Sequence, residues 1–97
     1  MIDVDKFIRR MYRVLDQRPE IFVIKKMKKE RGYCMDDKSE VAVDHRDEIL
    51  STLVHEMVHY LEPKWSEAKV LRAEKYIMNK VTPRRAANIL KRFIKTQ

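Results

Sequence analysis

Glycine, cysteine and proline are all scarce in this chain, and each scarcity limits the structures it can form. The 97 residues include one glycine, one cysteine and three prolines. A single cysteine, Cys34, cannot close an internal disulfide, and we interpret it as a half-buried strand residue rather than a nucleophile. The chain also lacks a run of about 18 or more apolar residues and a secretory leader, which predicts a soluble, cytoplasmic protein with no membrane partner.

Charge is what the chain has in abundance. Its composition is 44% apolar and 38% charged, which indicates a folded, helix-rich protein rather than a disordered tail. A length of 97 residues predicts one domain, residues 1–97, with one modest core. The formal net charge of +7 would suit a nucleic-acid partner, but the excess is spread in short groups, and spread charge usually forms a solvated surface. We therefore do not favour nucleic-acid binding.

Hydrophobic periodicity in the first half of the chain predicts a helix followed by a small sheet. The helix covers Asp3–Leu15, with Asp3 as its N-cap, and Arg18-Pro19 ends it. Clusters of β-branched and aromatic residues then predict three short strands. These are Glu20–Lys26, Tyr33–Met35 and Glu40–Val43, the last two joined by the turn DDKS.

Three further helices are predicted after the sheet, so the fold class is α+β. They cover Arg46–Leu61, a segment from the N-cap Ser66 to about Lys80, and a segment from Thr82-Pro83 through Lys95. The last helix has an apolar stripe and must pack on its own domain or on a neighbour. The stripe contains Ala86, Ile89, Leu90, Phe93 and Ile94.

The stretch STLVHEMVHY, residues Ser51–Tyr60, places two histidines four apart with a glutamate directly after the first. On an α-helix, residues four apart lie about 40° apart around the axis, so His55 and His59 can point imidazole nitrogens at one ion. Glu56 is turned about 100° from His55 and can lie close to a metal without binding it. A zinc hydrolase uses this geometry: two neutral imidazoles hold Zn²⁺, and the glutamate takes a proton from the metal-bound water.

The alternative is a core helix whose histidines bond to backbone acceptors. Most of this helix is strongly apolar, and His55 and His59 share its one polar strip with Ser51 and Glu62. A histidine pair on such a strip is expected of a site and is unusual in a core helix. We therefore favour a zinc site.

A catalytic zinc needs a third protein ligand, with the fourth position left for water. The predicted inward stripe of the next helix contains two carboxylates, Glu67 and Glu74, where apolar residues would be expected; its other members are Val70, Leu71, Met78 and Val81. We favour Glu67 as the ligand, because a short turn brings the start of that helix beside His59. Glu74 lies two turns further on, where it is expected to accept a hydrogen bond from a ligand histidine or to pair with an arginine. Glu74, Glu62 and His45 stay as alternatives for the third ligand.

A helix, a small sheet, HEMVH on a second helix, a glutamate on a third and a C-terminal helix follow one another within about a hundred residues. In this layout the chain resembles the minigluzincins, a family of minimal metallopeptidases. The resemblance covers nearly the whole chain, and HEMVH is its only specific motif. It implies a zinc-dependent endopeptidase with zinc ligands His55 and His59 and general base Glu56. It also implies an edge strand over the cleft that pairs with a peptide substrate. By position that strand would consist of Glu40, Val41, Ala42 and Val43.

The same resemblance implies latency, since minigluzincins are held inactive by C-terminal segments that block the cleft within one chain or between two. The candidate segment is Thr82–Gln97, an amphipathic helix behind a proline-containing break, which is compatible with a homodimer formed by helix exchange. An ordinary packing helix is the alternative. Two other functions stay open: a basic nucleic-acid-binding module, and a regulatory dimer whose metal site is inactive. A structural zinc would usually have four protein ligands, often cysteines, which disfavours the former.

Overall fold

The computed structural model describes residues 2–25, 27, 30–44 and 48–97. This part of the chain forms four helices and a three-stranded sheet, which confirms the predicted α+β fold. The elements in chain order are α1 (Val4–Gln17), β1 (Phe22–Ile24), β2 (Gly32–Cys34), β3 (Val41–Val43), α2 (Ile49–Leu61), α3 (Glu67–Lys80) and α4 (Pro83–Lys95). None of the described helices has the length and apolar character needed to cross a membrane.

Side-chain caps set the first residues of three helices. Asp3, Ser66 and Thr82 each accept a hydrogen bond from the backbone N–H three residues further on. Each bond satisfies one N–H group of the first helical turn that has no partner within the helix. Asp3 and Ser66 are the caps that the sequence predicts, and Thr82 is the residue at which it predicts the start of the last helix. The start predicted for α2, Arg46, lies outside the described residues, and the structure begins this helix at Ile49.

The sheet has the strand order β1–β3–β2, so β3 is its central strand. Val41 pairs with Phe22 of parallel β1 on one side and with Cys34 of antiparallel β2 on the other. The prediction that Glu40–Val43 forms an edge strand is therefore wrong. Val41, Ala42 and Val43 are all completely buried, as suits a strand with neighbours on both sides and apolar packing on both faces.

Helix α2 lies at the centre of the fold, with β2 and β3 on one side of it and α3 along another. Its residues from Ser51 to Val58 are all buried, including the polar His55 and Glu56. The wide apolar surface of α2 holds the helix between these neighbours. The polar residues are thereby fixed in orientation, which is the requirement for a site built on a rigid element.

Helix α4 packs on its own chain. Ile89 and Phe93 are buried in the core, and the Phe93 ring meets Phe22 of β1 edge to face with ring centroids 6.2 Å apart. Ile94, by contrast, is 67% exposed. The buried stripe of α4 is therefore narrower than the sequence predicts, because contact with the core covers Ile89 and Phe93 and leaves Ile94 outside.

Candidate metal centre

Three side chains that could bind a metal ion meet between α2 and the start of α3. They are His55, His59 and Glu67, and their donor atoms all lie within 4.8 Å of one another. Glu67 spans the two rings, because its Oε1 lies 2.8 Å from Nε2 of His55 and its Oε2 lies 2.9 Å from Nε2 of His59. The carboxylate that the sequence favours as the third ligand is thus the one placed against both histidines.

The turn between α2 and α3 explains how Glu67 reaches the histidines. The backbone N–H of Trp65 donates to the carbonyl of Glu62 over 3.1 Å, and Ser66 then caps α3. The chain reverses within this turn, so the first residue of α3 returns beside the last turns of α2. Glu67 is that first residue. Its side chain is 60% exposed, so the metal centre opens to solvent on this side.

Glu74 contacts Nδ1, the other nitrogen of the His55 ring. Its Oε1 is 2.8 Å from Nδ1 of His55 and 3.4 Å from Nη2 of Arg31. Both of the roles that the sequence suggests for Glu74, a partner for a histidine and a partner for an arginine, therefore occur together. A hydrogen bond from Nδ1–H to Glu74 leaves the lone pair of Nε2 directed at the point where the three donors converge.

The remaining alternatives for a third ligand lie elsewhere or cannot be placed. Glu62 pairs with Arg10 of α1 over 3.2 Å, which occupies its carboxylate. His45 lies outside the described residues. Arg31 is a member of the site that the sequence reasoning missed. It lies in a loop before β2, where neither helical spacing nor a motif indicates that it meets α3.

His55 lies between two carboxylates. Each of its ring nitrogens lies 2.8 Å from a carboxylate oxygen, Nδ1 from Glu74 and Nε2 from Glu67. A neutral imidazole has only one N–H, so its second nitrogen would direct a lone pair at a carboxylate. A metal ion bound by Nε2 of His55 and by Glu67 would relieve this repulsion.

The donor set fits a divalent metal ion. Two imidazoles and one carboxylate, with a fourth position open, are the ligands of a typical catalytic zinc. Tetrahedral zinc with ligand bonds of about 2.1 Å holds its ligand atoms about 3.4 Å apart. The contacts of Glu67 with His55 and with His59 are 2.8 and 2.9 Å, about half an ångström shorter than this, and the exposed Glu67 side chain can supply that change. Imidazole and carboxylate also bind other first-row metals, so the triad by itself does not select zinc.

Glu56 lies buried beside this triad. Burial raises the pKa of its carboxyl group to about 7; the positive charge of His55 opposes the rise, and the carboxylates of Glu67 and Glu74 add to it. A carboxyl group that gains and loses a proton near neutral pH suits general acid–base chemistry. A divalent cation bound by the triad would lower the pKa of Glu56, because it favours the charged form.

The one glycine of the chain lies where β2 approaches α2. A Cβ atom on Gly32 would be 2.6 Å from the carbonyl oxygen of Ala42, 2.8 Å from Cγ2 of Thr52 and 3.3 Å from Cγ of Glu56. Only glycine permits this approach, which brings β2 against the buried side of Glu56. The sequence did not predict a role for Gly32. Its being the one glycine of the chain was the only indication that the position matters.

Gly32→Ala is expected to lower the free energy of unfolding by about 1–3 kcal/mol, because the added methyl group meets a backbone carbonyl and a β-branched side chain that cannot withdraw. Urea unfolding followed by circular dichroism measures the change. Lys64→Ala, in an exposed turn, is the control and should change stability by less than about 0.5 kcal/mol. Equal stability of Gly32→Ala and the wild type would contradict the close approach of β2 to α2.

Cys34 ends β2 and is half-buried, as the sequence predicts. Burial, with a contribution from the charge of nearby Glu56, raises the pKa of its thiol to about 11. The thiol is therefore protonated at neutral pH, and a protonated thiol is a poor nucleophile. Cys34 does not supply the nucleophile of this site.

Two cavities lie near the metal centre, one beside Glu74 and one beside His59. One of about 320 Å³ is lined by Arg31, Ser51 and Glu74 among others, and one of about 230 Å³ is lined by Cys34, His59 and other residues. Strand β2 begins directly after Arg31 and ends at Cys34. The two cavities therefore lie at opposite ends of β2, and together they could receive a ligand that extends along this strand.

Comparisons of the chain with protein-family models, curated proteins and solved structures returned no match.

Proposed function

We propose that this chain is a zinc-dependent metallopeptidase, an endopeptidase that hydrolyses peptide bonds in extended substrates. The observation that carries the proposal is the convergence of His55, His59 and Glu67 on one point, with buried Glu56 beside them. Two histidines and a carboxylate supply the three protein ligands of a catalytic zinc, and the glutamate supplies a base. The resemblance of the sequence to the minigluzincins supports the same function.

Each residue has a distinct part in the proposed hydrolysis. His55, His59 and Glu67 hold the zinc ion, which when bound would act as a Lewis acid toward the scissile carbonyl and toward water. Glu56 accepts a proton from the attacking water and later delivers it to the nitrogen of the leaving amine. Burial keeps competing water away from the Glu56 carboxyl group. Glu74 holds His55 by Nδ1 and so keeps Nε2 free for the ion.

Strand β2 is the candidate for pairing with the substrate backbone. It replaces Glu40–Val43, which the structure places at the centre of the sheet. Within the described residues, β2 pairs on one side only, with β3. Cys34 at its end lines one of the two cavities, and Arg31 directly before it lines the other. An extended peptide could add to its other edge by backbone hydrogen bonds, a mode that depends little on side chains.

Metal removal tests the proposed function. We expect the protein to contain zinc and to cleave an internally quenched peptide mixture. Cleavage should stop after dialysis against 1,10-phenanthroline and return on addition of one equivalent of zinc but not of magnesium, because magnesium prefers oxygen ligands. Cleavage that survives complete zinc removal would contradict the mechanism. Full zinc occupancy without cleavage of any peptide would favour a latent form or an inactive regulatory protein instead.

Glu74→Ala is expected to weaken zinc binding about 10- to 100-fold, as loss of an outer partner of a metal-bound histidine usually does. Glu74→Gln keeps an oxygen that can accept from Nδ1–H and should lose less. Competition with a chromophoric chelator measures both affinities. Glu62→Ala removes a carboxylate that pairs with Arg10 rather than with a histidine, and it should bind zinc as the wild type does. Equal affinity of Glu74→Ala and Glu62→Ala would show that Glu74 does not orient His55.

Latency by Thr82–Gln97 stays a proposal, and the position of α4 limits the form it could take. Arg92 pairs with Asp16 of α1 over 3.3 Å, Arg85 pairs with Asp5, and Phe93 is buried. A latent form within one chain would have to give up these contacts with α1. Exchange of the helix between two protomers would keep them but would place α4 in the same position, so blocking the cleft needs a rearrangement of α4 in either form.

A further inference from the structure

An apolar groove lies between the start of α1 and the first half of α3, away from the metal centre. It has a volume of about 500 Å³, and its apolar lining includes Phe7, Trp65 and Ala73. Asp3 and Glu62 also line it, and so do Lys69 and Arg72 of α3. The last two are turned about 200° and 140° around the helix axis from Glu67, so the groove and the metal centre occupy different faces of α3.

A basic depression continues from this groove along α1. It is shallow, has a volume of about 570 Å³ and is lined by Lys6, Arg9, Arg10 and Arg13. These residues follow the i, i+3, i+4, i+7 spacing and therefore form one stripe of the helix. Lys6 and Arg10 line the groove as well, so the two cavities form one continuous surface, which we call the α1/α3 groove.

Most of the positive charge on this surface has no acidic partner. Arg10 pairs with Glu62, but no ion pair within the described part of the chain involves Lys6, Arg9, Arg13 or Arg72. Clustered cations repel one another and raise the local concentration of anions. We therefore expect a partner that carries negatively charged groups next to an apolar group.

We propose that the α1/α3 groove is a docking site for an acidic peptide segment with a bulky apolar side chain. The apolar side chain enters the 500 Å³ groove, and the carboxylates lie along the basic stripe of α1. Aromatic lining and paired arginines are the features that anchor peptides in such grooves. The proposal does not depend on peptidase activity, since it uses no residue of the metal centre.

Two other kinds of anionic partner fit the groove less well. Insertion into a lipid surface needs protruding apolar side chains, whereas Phe7 is only 2% exposed and lies in the floor. Single-stranded nucleic acid needs open aromatic faces for base stacking, and Nζ of Lys69 lies 4.2 Å from the ring centroid of Trp65. A groove with a closed floor and a lateral basic stripe suits a side chain with acidic neighbours.

The test measures fluorescence anisotropy of a labelled ten-residue peptide that contains Leu-Phe followed by four glutamates. The full-length Glu56→Gln variant is used so that the peptide stays intact. We expect saturable binding that weakens about tenfold or more when glutamines replace the glutamates or glycines replace Leu-Phe. Arg9→Glu with Arg13→Glu should weaken it by about the same factor or more, because both charges are reversed.

Lys91→Glu with Lys95→Glu is the matched control, since it reverses two exposed charges on α4 that do not line the groove. Loss of affinity in this control equal to that of the α1 variant would mean a net-charge effect and would overturn the proposal. Binding that does not weaken when glycines replace Leu-Phe would also overturn the proposal. The absence of saturable binding of the parent peptide would overturn it as well. Tighter binding of an oligodeoxynucleotide of equal charge, or of phosphatidylserine vesicles, would also overturn it. The peptide series alone decides the question if the charge-reversal variants do not fold.

Discussion

Glu56→Gln is expected to lower the rate of peptide hydrolysis by about 10²- to 10⁴-fold, the contribution usual for a positioned general base. Glutamine keeps the size of the side chain in its buried site but cannot accept a proton. Zinc content should stay at the wild-type level, because His55, His59 and Glu67 are unchanged. The measurement is kcat/KM on a quenched peptide together with zinc content by atomic spectroscopy on the same sample.

Glu62→Gln is the control for this comparison. It makes the same chemical change at the C-cap of α2, the helix that carries Glu56. The Glu62 carboxylate pairs with Arg10 on α1, so hydrolysis should change by less than about threefold, as for a surface pair. Undiminished cleavage by Glu56→Gln would end the proposed mechanism. Loss of zinc in that variant would instead show that Glu56 supports the metal centre rather than the proton transfer.

Local signals account for most of what the sequence predicts correctly. The caps Asp3, Ser66 and Thr82 act within one helical turn, so their effect depends only on residues close in sequence. The spacing of His55 and His59 likewise needs nothing beyond the helix that carries them. The sequence favours Glu67 because the turn before it is short, and a short turn keeps the start of α3 close in space to His59.

Long-range packing accounts for what the sequence does not reveal. Strand order is one case: β3 follows β2 along the chain but also pairs with β1, and no local pattern indicates this. The rotation of α3 is another. Leu71, predicted on its inward stripe, is 44% exposed, while Ala73 is 6% exposed. The contact between Arg31 and Glu74 depends on both arrangements, since it joins the loop before β2 to one face of α3.

Glu67→Ala is expected to lose zinc almost completely after dialysis, a larger effect than the roughly 10- to 100-fold weakening expected from an outer partner such as Glu74. Two imidazoles alone do not make a catalytic zinc site, which takes three protein ligands. The fold should survive, because Glu67 is 60% exposed and Ser66 still caps α3. The lost charge at the start of α3 costs only about 0.3–1 kcal/mol through the helix dipole. Zinc content after dialysis and the urea midpoint separate the two effects.

The same measurement on Glu74→Ala and Glu62→Ala distinguishes the alternatives. In the structure, Glu67 faces Nε2 of both His55 and His59, whereas Glu74 faces only Nδ1 of His55. Exchanging their roles would require the His55 ring to present its other nitrogen to the ion. Full zinc retention in Glu67→Ala together with loss in Glu74→Ala would therefore reverse the assignment and require a rotated ring. Retention in all three variants would move the third ligand outside these carboxylates and make His45→Ala the variant that locates it.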